Sequence, residues 1–118
     1  MNLHKFVRTV PDFPKDGILF RDITPLLADN EAFNFAIDKM VLLSKQLGPD
    51  VIAGIESRGF LLGAPISLKL GLPFVPIRKE GKLPFEKKTA RYDLEYGNDT
   101  LEIHTDAFQP GQKVLVVD

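Results

Sequence analysis

Residues 51–79, VIAGIESRGFLLGAPISLKLGLPFVPIRK, decide the fold. Val51 to Ile55 is a short apolar run that reads as a buried strand, Gly59 to Leu70 as an apolar helix stopped by Gly71, and PFVPIRK as a second strand. Strand, helix and strand in so short a stretch make a βαβ unit, which predicts a parallel sheet with a right-handed crossover. Glu56, Ser57 and Arg58 are wedged between the first strand and its helix, a triplet that a purely structural turn rarely holds. In an open parallel sheet this is the ligand-binding end, where the helix presents free N–H groups and the positive end of its dipole. Gly54 and Gly59 reproduce the outer glycine spacing of a Walker A loop, but Phe60 and Leu61 stand where Lys and Ser/Thr are required, which excludes a nucleoside triphosphatase of that kind. A backbone nest flanked by the Ser57 hydroxyl and the Arg58 guanidinium suits a polyanion such as pyrophosphate. The same pattern also fits a plain helix N-cap followed by a solvated arginine.

Upstream, Leu3, Phe6, Val7 and Val10 follow i, i+3, i+4, i+7 spacing and predict a short helix ending before Pro11. PDFPKDGILFRDITP, residues 11–25, gathers three prolines and a glycine into a stiff irregular loop. From Asp29, an N-cap with Glu31 in the first turn, a helix is predicted to run to the Gly48-Pro49 stop. Downstream, KEGKLPFEKKTAR, residues 79–91, reads as a mobile surface loop. YDLEYGNDTLEIH, residues 92–104, alternates apolar and polar positions about a Gly97-Asn98-Asp99 turn and predicts an antiparallel hairpin. KVLVVD, residues 113–118, is a run of apolar β-formers, the pattern of a strand buried on both faces.

The 118 residues suffice for one domain spanning 1–118. With 44% hydrophobic residues, 26% charged residues and a net charge of -1, the composition is that of an ordinary globular chain and gives no electrostatic case for nucleic acid as partner. Cysteine is absent, which excludes disulfides, thiolate catalysis and zinc-thiolate sites. His4 and His104 are the only histidines and stand at opposite ends, so neither metal-ligand spacing nor a Ser-His-Asp pattern arises. No run approaches the roughly 18 apolar residues of a membrane span, and the start lacks a signal-type apolar core. The expectation is a soluble, cytoplasmic protein without membrane or nucleic-acid partners.

Four blocks in order, PDFPKDGILFRDITPLL, GIESRGFLLGAP, PFVPIRKEGKLP and YDLEYGNDTLEIHTDA, make the chain from Pro11 to Asp118 resemble the adenine phosphoribosyltransferase family of type I phosphoribosyltransferases. The resemblance implies an α/β, Rossmann-like fold with a central parallel sheet, an N-terminal base-recognition segment and an antiparallel hairpin. It implies transfer of the ribose phosphate of phosphoribosyl pyrophosphate to N9 of adenine, giving AMP and pyrophosphate, with Mg2+ on the leaving group. That is a reaction of purine salvage, carried out by a homodimer.

Residue by residue, Glu56, Ser57, Arg58 and Gly59 match the pyrophosphate loop, with Glu56 orienting the loop or approaching magnesium rather than touching pyrophosphate. Arg78, Lys79 and Lys82 match basic residues that the family brings to pyrophosphate, some across a dimer interface. Cations there lower a barrier in which charge grows on the leaving group. Leu19 places its main chain against adenine, Phe20 gives apolar contact and Arg21 a side-chain contact. A proline-braced segment suits base reading because little entropy is lost in holding it. Glu95 matches the acid that handles the purine proton near N7, with Tyr96 beside it, a role a hairpin carboxylate can take if closure desolvates it. Read from the residues alone, Leu19 and Phe20 are core, 78–82 a solvated basic loop and Glu95 an exposed strand carboxylate.

The family pattern continues beyond Asp118 into an acidic pair and a Gly/Thr-rich loop that cradles the 5'-phosphate. Asp118 matches the first acid of that pair, and is the residue the resemblance leaves for metal. The chain is therefore expected to be an incomplete domain, a fragment of a longer enzyme, weakly active at best by itself and with an open apolar flank on its last strand. The alternatives are a phosphoribosyltransferase for another purine, or a non-catalytic module that binds a purine or nucleotide.

Overall fold

The Asn2 side chain accepts the His4 N–H at the head of a 3-10 helix, Leu3–Phe6. The chain then extends, and β1 (Arg8–Val10) pairs antiparallel with β2 (Phe20–Asp22), setting Thr9 opposite Arg21. The helix expected through Val10 thus ends at Phe6. Val7, Thr9 and Val10 are β-branched and stiff at χ1, and a partner strand ten residues downstream gives them the extended conformation they prefer. The irregular loop expected over 11–25 is broken up for the same reason: its Phe20–Asp22 portion is β2, and Pro25 enters the first turn of α1 (Thr24–Ala28), where a missing N–H costs nothing. α2 (Asn30–Leu47) begins as predicted, with the Asp29 carboxylate accepting the Ala32 N–H at 2.9 Å. Leu26, Ala32 and Ala36 are buried together, with Leu3, Phe6 and Ile23 packed against them.

The computed structural model describes residues 1–94 and 97–118, which divide into two units, Met1–Met40 and Val41–Asp118. The second unit is built on the βαβ stretch. β3 (Val51–Ile55) has the predicted bounds, α3 (Arg58–Leu70) starts one residue early, and β4 (Phe74–Lys79) follows. Gly71 ends α3 in the left-handed region at φ 69°, its N–H turned back to the Leu68 and Ser67 carbonyls. β3 pairs in parallel with β4, Ile52 opposite Phe74, and α3 packs on β3. Val51, Ile52 and Ala53 are buried beneath it with Leu62 and Ile66. Burying each of the larger aliphatic side chains stabilises the unit by about 1.5–3 kcal/mol.

β5 (Lys87–Asp93), β6 (Asn98–His104) and β7 (Val114–Val117) complete one mixed sheet in the order β5-β6-β4-β3-β7. The predicted hairpin is present and docks antiparallel on β4 through β6. Two of its boundaries differ from expectation. The polar stretch 79–91 is not loop throughout, because Lys87–Arg91 pair with Thr100–His104 and take their strand form from that ladder rather than from their own propensity. Asn98 and Asp99, expected in the turn, belong to β6, and the Leu94 N–H reaches the Gly97 carbonyl at 2.9 Å. β7 pairs in parallel with β3 but is an edge strand, and Val116 is 54% exposed. Burial on both faces, expected from its apolar run, is not seen: none of Val114–Val117 is fully buried, and β7 also has only one strand neighbour among the described residues. Its open apolar flank does agree with expectation.

Candidate active site

The parallel pairings bring the carboxyl ends of β3 and β7 side by side, Gly54 opposite Val117. The turn from Gly54 to Gly59 is packed backbone to backbone. A β-carbon on Gly54 would strike the Gly59 carbonyl oxygen and come within 2.8 Å of the Phe74 ring. One on Gly59 would strike the Val117 carbonyl oxygen. Glycine at both positions is therefore a matter of room, and it lets α3 begin directly over the strand ends. Ser57 occupies the N-cap position, but its side chain makes no capping hydrogen bond, so the hydroxyl and the first N–H groups of α3 are not spent on each other. The peptide between Glu56 and Ser57 is cis. Arg58 reaches Asp118 at 3.3 Å, with both side chains more than half exposed. Of the two readings of this wedge, the simple N-cap lacks its defining side-chain bond; the Phe60 N–H donates to the Ser57 carbonyl at 3.0 Å, and Arg58 is paired with Asp118.

Glu56 turns away from this nest. Its carboxylate accepts the Arg78 Nε–H at 3.1 Å and the Lys79 N–H at 3.2 Å, both at the end of β4. The Lys79 N–H is the main reason its pKa lies below the usual carboxylate value, with the Arg78 guanidinium adding to it. Glu56 thus ties the turn after β3 to the end of β4. Arg78 is committed inward as well: its Nη1 donates to the Lys82 carbonyl at 3.1 Å, and its guanidinium lies 6.0 Å from the Phe60 ring centroid. The Lys79 ammonium donates to Asp99 at 2.7 Å, and the Tyr92 hydroxyl donates to the same oxygen at 3.1 Å. That hydrogen bond to Asp99 raises the Lys79 pKa and lowers that of Asp99. Lys82 stands close enough to Glu56 to help hold its charge. Arg78, Lys79 and Lys82 are thus brought to one turn beside the wedge, with two of the three tied by side-chain bonds within the protein.

In the first unit, β2 carries Phe20 and Arg21 and follows directly on Leu19. Leu19 and Phe20 are exposed, not core as the bare sequence suggested, and Phe13 packs edge-on against Phe20 with centroids 5.1 Å apart. A cavity of about 320 Å³ is lined by Val10, Phe13, Phe20, Asp22 and Thr24. Arg21 Nη1 donates to the Thr9 hydroxyl across the strand pair. Asp22 accepts from the Thr24 hydroxyl at 2.6 Å and the Thr24 N–H at 2.9 Å, which lower its pKa, with a smaller contribution from Arg8. Phe13 and Asp22 were missed from sequence, although the proline beside Phe13 and the Asp-x-Thr spacing were visible.

Glu95 and Tyr96 lie outside the described residues. Among the described residues no three His, Asp or Glu side chains are grouped to hold a metal ion. Asp118 is the carboxylate at the strand ends, and it faces Arg58. Sequence reasoning also overlooked Asp99 and Glu102. Alternation put Glu102 on the polar face of its strand, yet it is 4% exposed and accepts the Gly81 N–H at 2.8 Å.

No family model matches the chain. Among curated proteins it is 58% identical to the adenine phosphoribosyltransferase of Halothermothrix orenii, over 100% of this chain and 69% of the relative. The crystal structure of the adenine phosphoribosyltransferase from Thermoanaerobacter pseudethanolicus superposes with a TM-score of 0.90 at 52% identity, covering 98% of this chain and 67% of that one. The Saccharomyces cerevisiae enzyme, complexed with D-2,5-dideoxy-2,5-imino-altritol 1,6-bisphosphate and adenine, superposes with a TM-score of 0.92 at 42% identity, covering 98% and 68%. On this likeness of sequence and fold, the chain belongs to the adenine phosphoribosyltransferase family.

Proposed function

We propose that the protein carrying this chain transfers the 5-phosphoribosyl group of phosphoribosyl pyrophosphate to adenine. N9 of adenine, in the tautomer that carries its ring proton on N7, bonds to C1 of the ribose, the bond from C1 to the pyrophosphate oxygen breaks with its electron pair, and the N7 proton is given up to Glu95. The observation that carries the reading is the nest between Gly54 and Gly59, where a close-packed backbone, an uncommitted Ser57 hydroxyl, the head of α3 and Arg58 meet at the carboxyl ends of two parallel strands. It is a fixed receptor for the negative charge that grows on the leaving pyrophosphate, and preorganised donors aimed at developing charge lower the barrier.

Around it, Arg78, Lys79 and Lys82 supply further positive charge, and Glu56 keeps the loop and β4 in register. Leu19, Phe20 and Arg21 read the base, the exposed Phe20 ring offering a flat apolar surface braced by Phe13. Glu95 handles the purine proton near N7, and Tyr96 lies beside it. Mg2+ keeps several waters and uses one or two carboxylates together with substrate phosphates. The donors present fit an ion carried by the substrate, with Asp118 as the protein carboxylate for it; when bound, that ion neutralises charge on the leaving group. A homodimer, the cytoplasm and purine salvage complete the reading. No helix among the described residues is long and apolar enough to cross a membrane.

The test is turnover of adenine, hypoxanthine and guanine with phosphoribosyl pyrophosphate, using the complete protein. AMP formation from adenine, with the other purines left unchanged, is the expected result. A preference for another purine, or binding without turnover, overturns it.

A further inference from the structure

We propose that Glu102 is a positioning residue for the basic turn after β4, holding Lys82 where a pyrophosphate group meets it; the inference rests on the reading of that turn given above. A carboxylate in mid-strand at 4% exposure is costly to desolvate and has to be paired. Its partner is a backbone donor outside its own strand pair, the Gly81 N–H at 2.8 Å, a charge-assisted bond.

Cross-strand register shows how the pairing is organised. Glu102 lies directly opposite Arg78, so the two side chains leave the same face of the sheet. Glu102 takes the N–H of Gly81, and Arg78 takes the carbonyl of Lys82 at 3.1 Å. Two side chains of opposite charge thus grip two successive residues of the turn, one by its donor and one by its acceptor. Arg78 is itself held by Glu56, so the grip is continuous with the pyrophosphate wedge. On the far side, Leu83 is buried and its carbonyl accepts from Lys87 Nζ at 3.0 Å.

A turn that only joined two strands would not need this. The Lys82 N–H already closes it on the Lys79 carbonyl at 3.2 Å. What the buried carboxylate adds is a defined place for the turn, and therefore for Lys82, before any anion arrives; Lys79 is already held by its pairing with Leu101 and by Asp99. Ordering done in advance is ordering that the ligand need not supply on binding.

The test uses the complete protein with Glu102→Ala, Glu102→Asp and Glu102→Gln. Calorimetry reads the affinity for pyrophosphate and, separately, for adenine; amide hydrogen exchange reads Gly81. Alanine and the shorter aspartate should each weaken pyrophosphate about tenfold, about 1.4 kcal/mol, leave adenine within about twofold and speed exchange at Gly81. Glutamine still offers an oxygen to the N–H and should stay within about threefold of wild type. Unchanged pyrophosphate affinity in Glu102→Asp, or an equal loss for both ligands, overturns the proposal, as does unchanged exchange at Gly81. Should Glu102→Ala not fold, the aspartate and glutamine variants decide it. A wild-type protein that makes no AMP from adenine overturns the enzymatic reading instead, and exchange at Gly81 still decides the grip.

Discussion

Replacing Gly59 with alanine probes the nest directly. The added β-carbon would run into the Val117 carbonyl oxygen and stand 3.0 Å from the Gly54 carbonyl carbon. Both obstacles are main chain in paired strands, so neither can rotate aside, and relief requires the start of α3 to lift from the sheet. An extra methyl group in a packed site costs about 1–3 kcal/mol, and rigid neighbours put this one near the upper end. At about 2–4 °C per kcal/mol for a protein the size of its relatives, melting should fall by roughly 6–12 °C. Gly71→Ala is the control. Its β-carbon meets open space, and only the left-handed backbone at φ 69° is penalised, at about 1–2 kcal/mol. Lifting α3 displaces Ser57 and Arg58, so Gly59→Ala should weaken pyrophosphate binding more than about tenfold, while Gly71→Ala leaves it unchanged. Thermal unfolding by circular dichroism and calorimetric titration with pyrophosphate read both quantities. The reasoning is refuted if Gly59→Ala melts within about 2 °C of wild type, or loses no more pyrophosphate affinity than Gly71→Ala.

Glu95→Gln in the complete protein should lower kcat by about 100-fold or more with little change in adenine affinity; steady-state kinetics with an undiminished kcat would remove Glu95 from proton handling. Arg58→Ala breaks an ion pair that is more than half exposed on both sides, so stability should change by less than about 1 kcal/mol while KM for phosphoribosyl pyrophosphate rises; a lower melting temperature with unchanged KM would make Arg58 structural. Glu56 has a depressed pKa in the folded chain, so its contribution to stability is complete above the unfolded carboxyl value and is lost as pH falls through the lower folded one. Glu56→Gln should therefore melt lower than wild type at neutral pH, and the two curves should converge on the acid side of the carboxylate range; a gap independent of pH would show that ionisation of Glu56 is not involved.

The parts of the fold that could be read in the sequence are those whose cause is local. Val51–Ile55, the helix ended by Gly71 and the strand from Phe74 follow from apolar runs and chain-breaking residues a few positions apart. The Asp29 cap is of the same kind. β1, β2 and most of β5 were not legible, because three-residue strands and a lysine-rich stretch have no periodicity of their own and become strands only where a partner offers a ladder. The bounds of the hairpin turn shifted for that reason too.

The candidate site divides along the same line. Ser57, Arg58 and the glycines around them were marked by their place between a strand and a helix, a feature of chain order. The ties of Arg78 to Glu56, of Lys79 to Asp99 and of Glu102 to Gly81 join residues about 20 positions apart and depend on strand register. By itself the amino-acid order determined the βαβ frame and the turn between β3 and α3, because backbone geometry and patterns of burial act over a few residues. Only the tertiary structure decided which charged side chains remain for a ligand and which hold the protein together, because a charge is committed by whatever the fold places beside it.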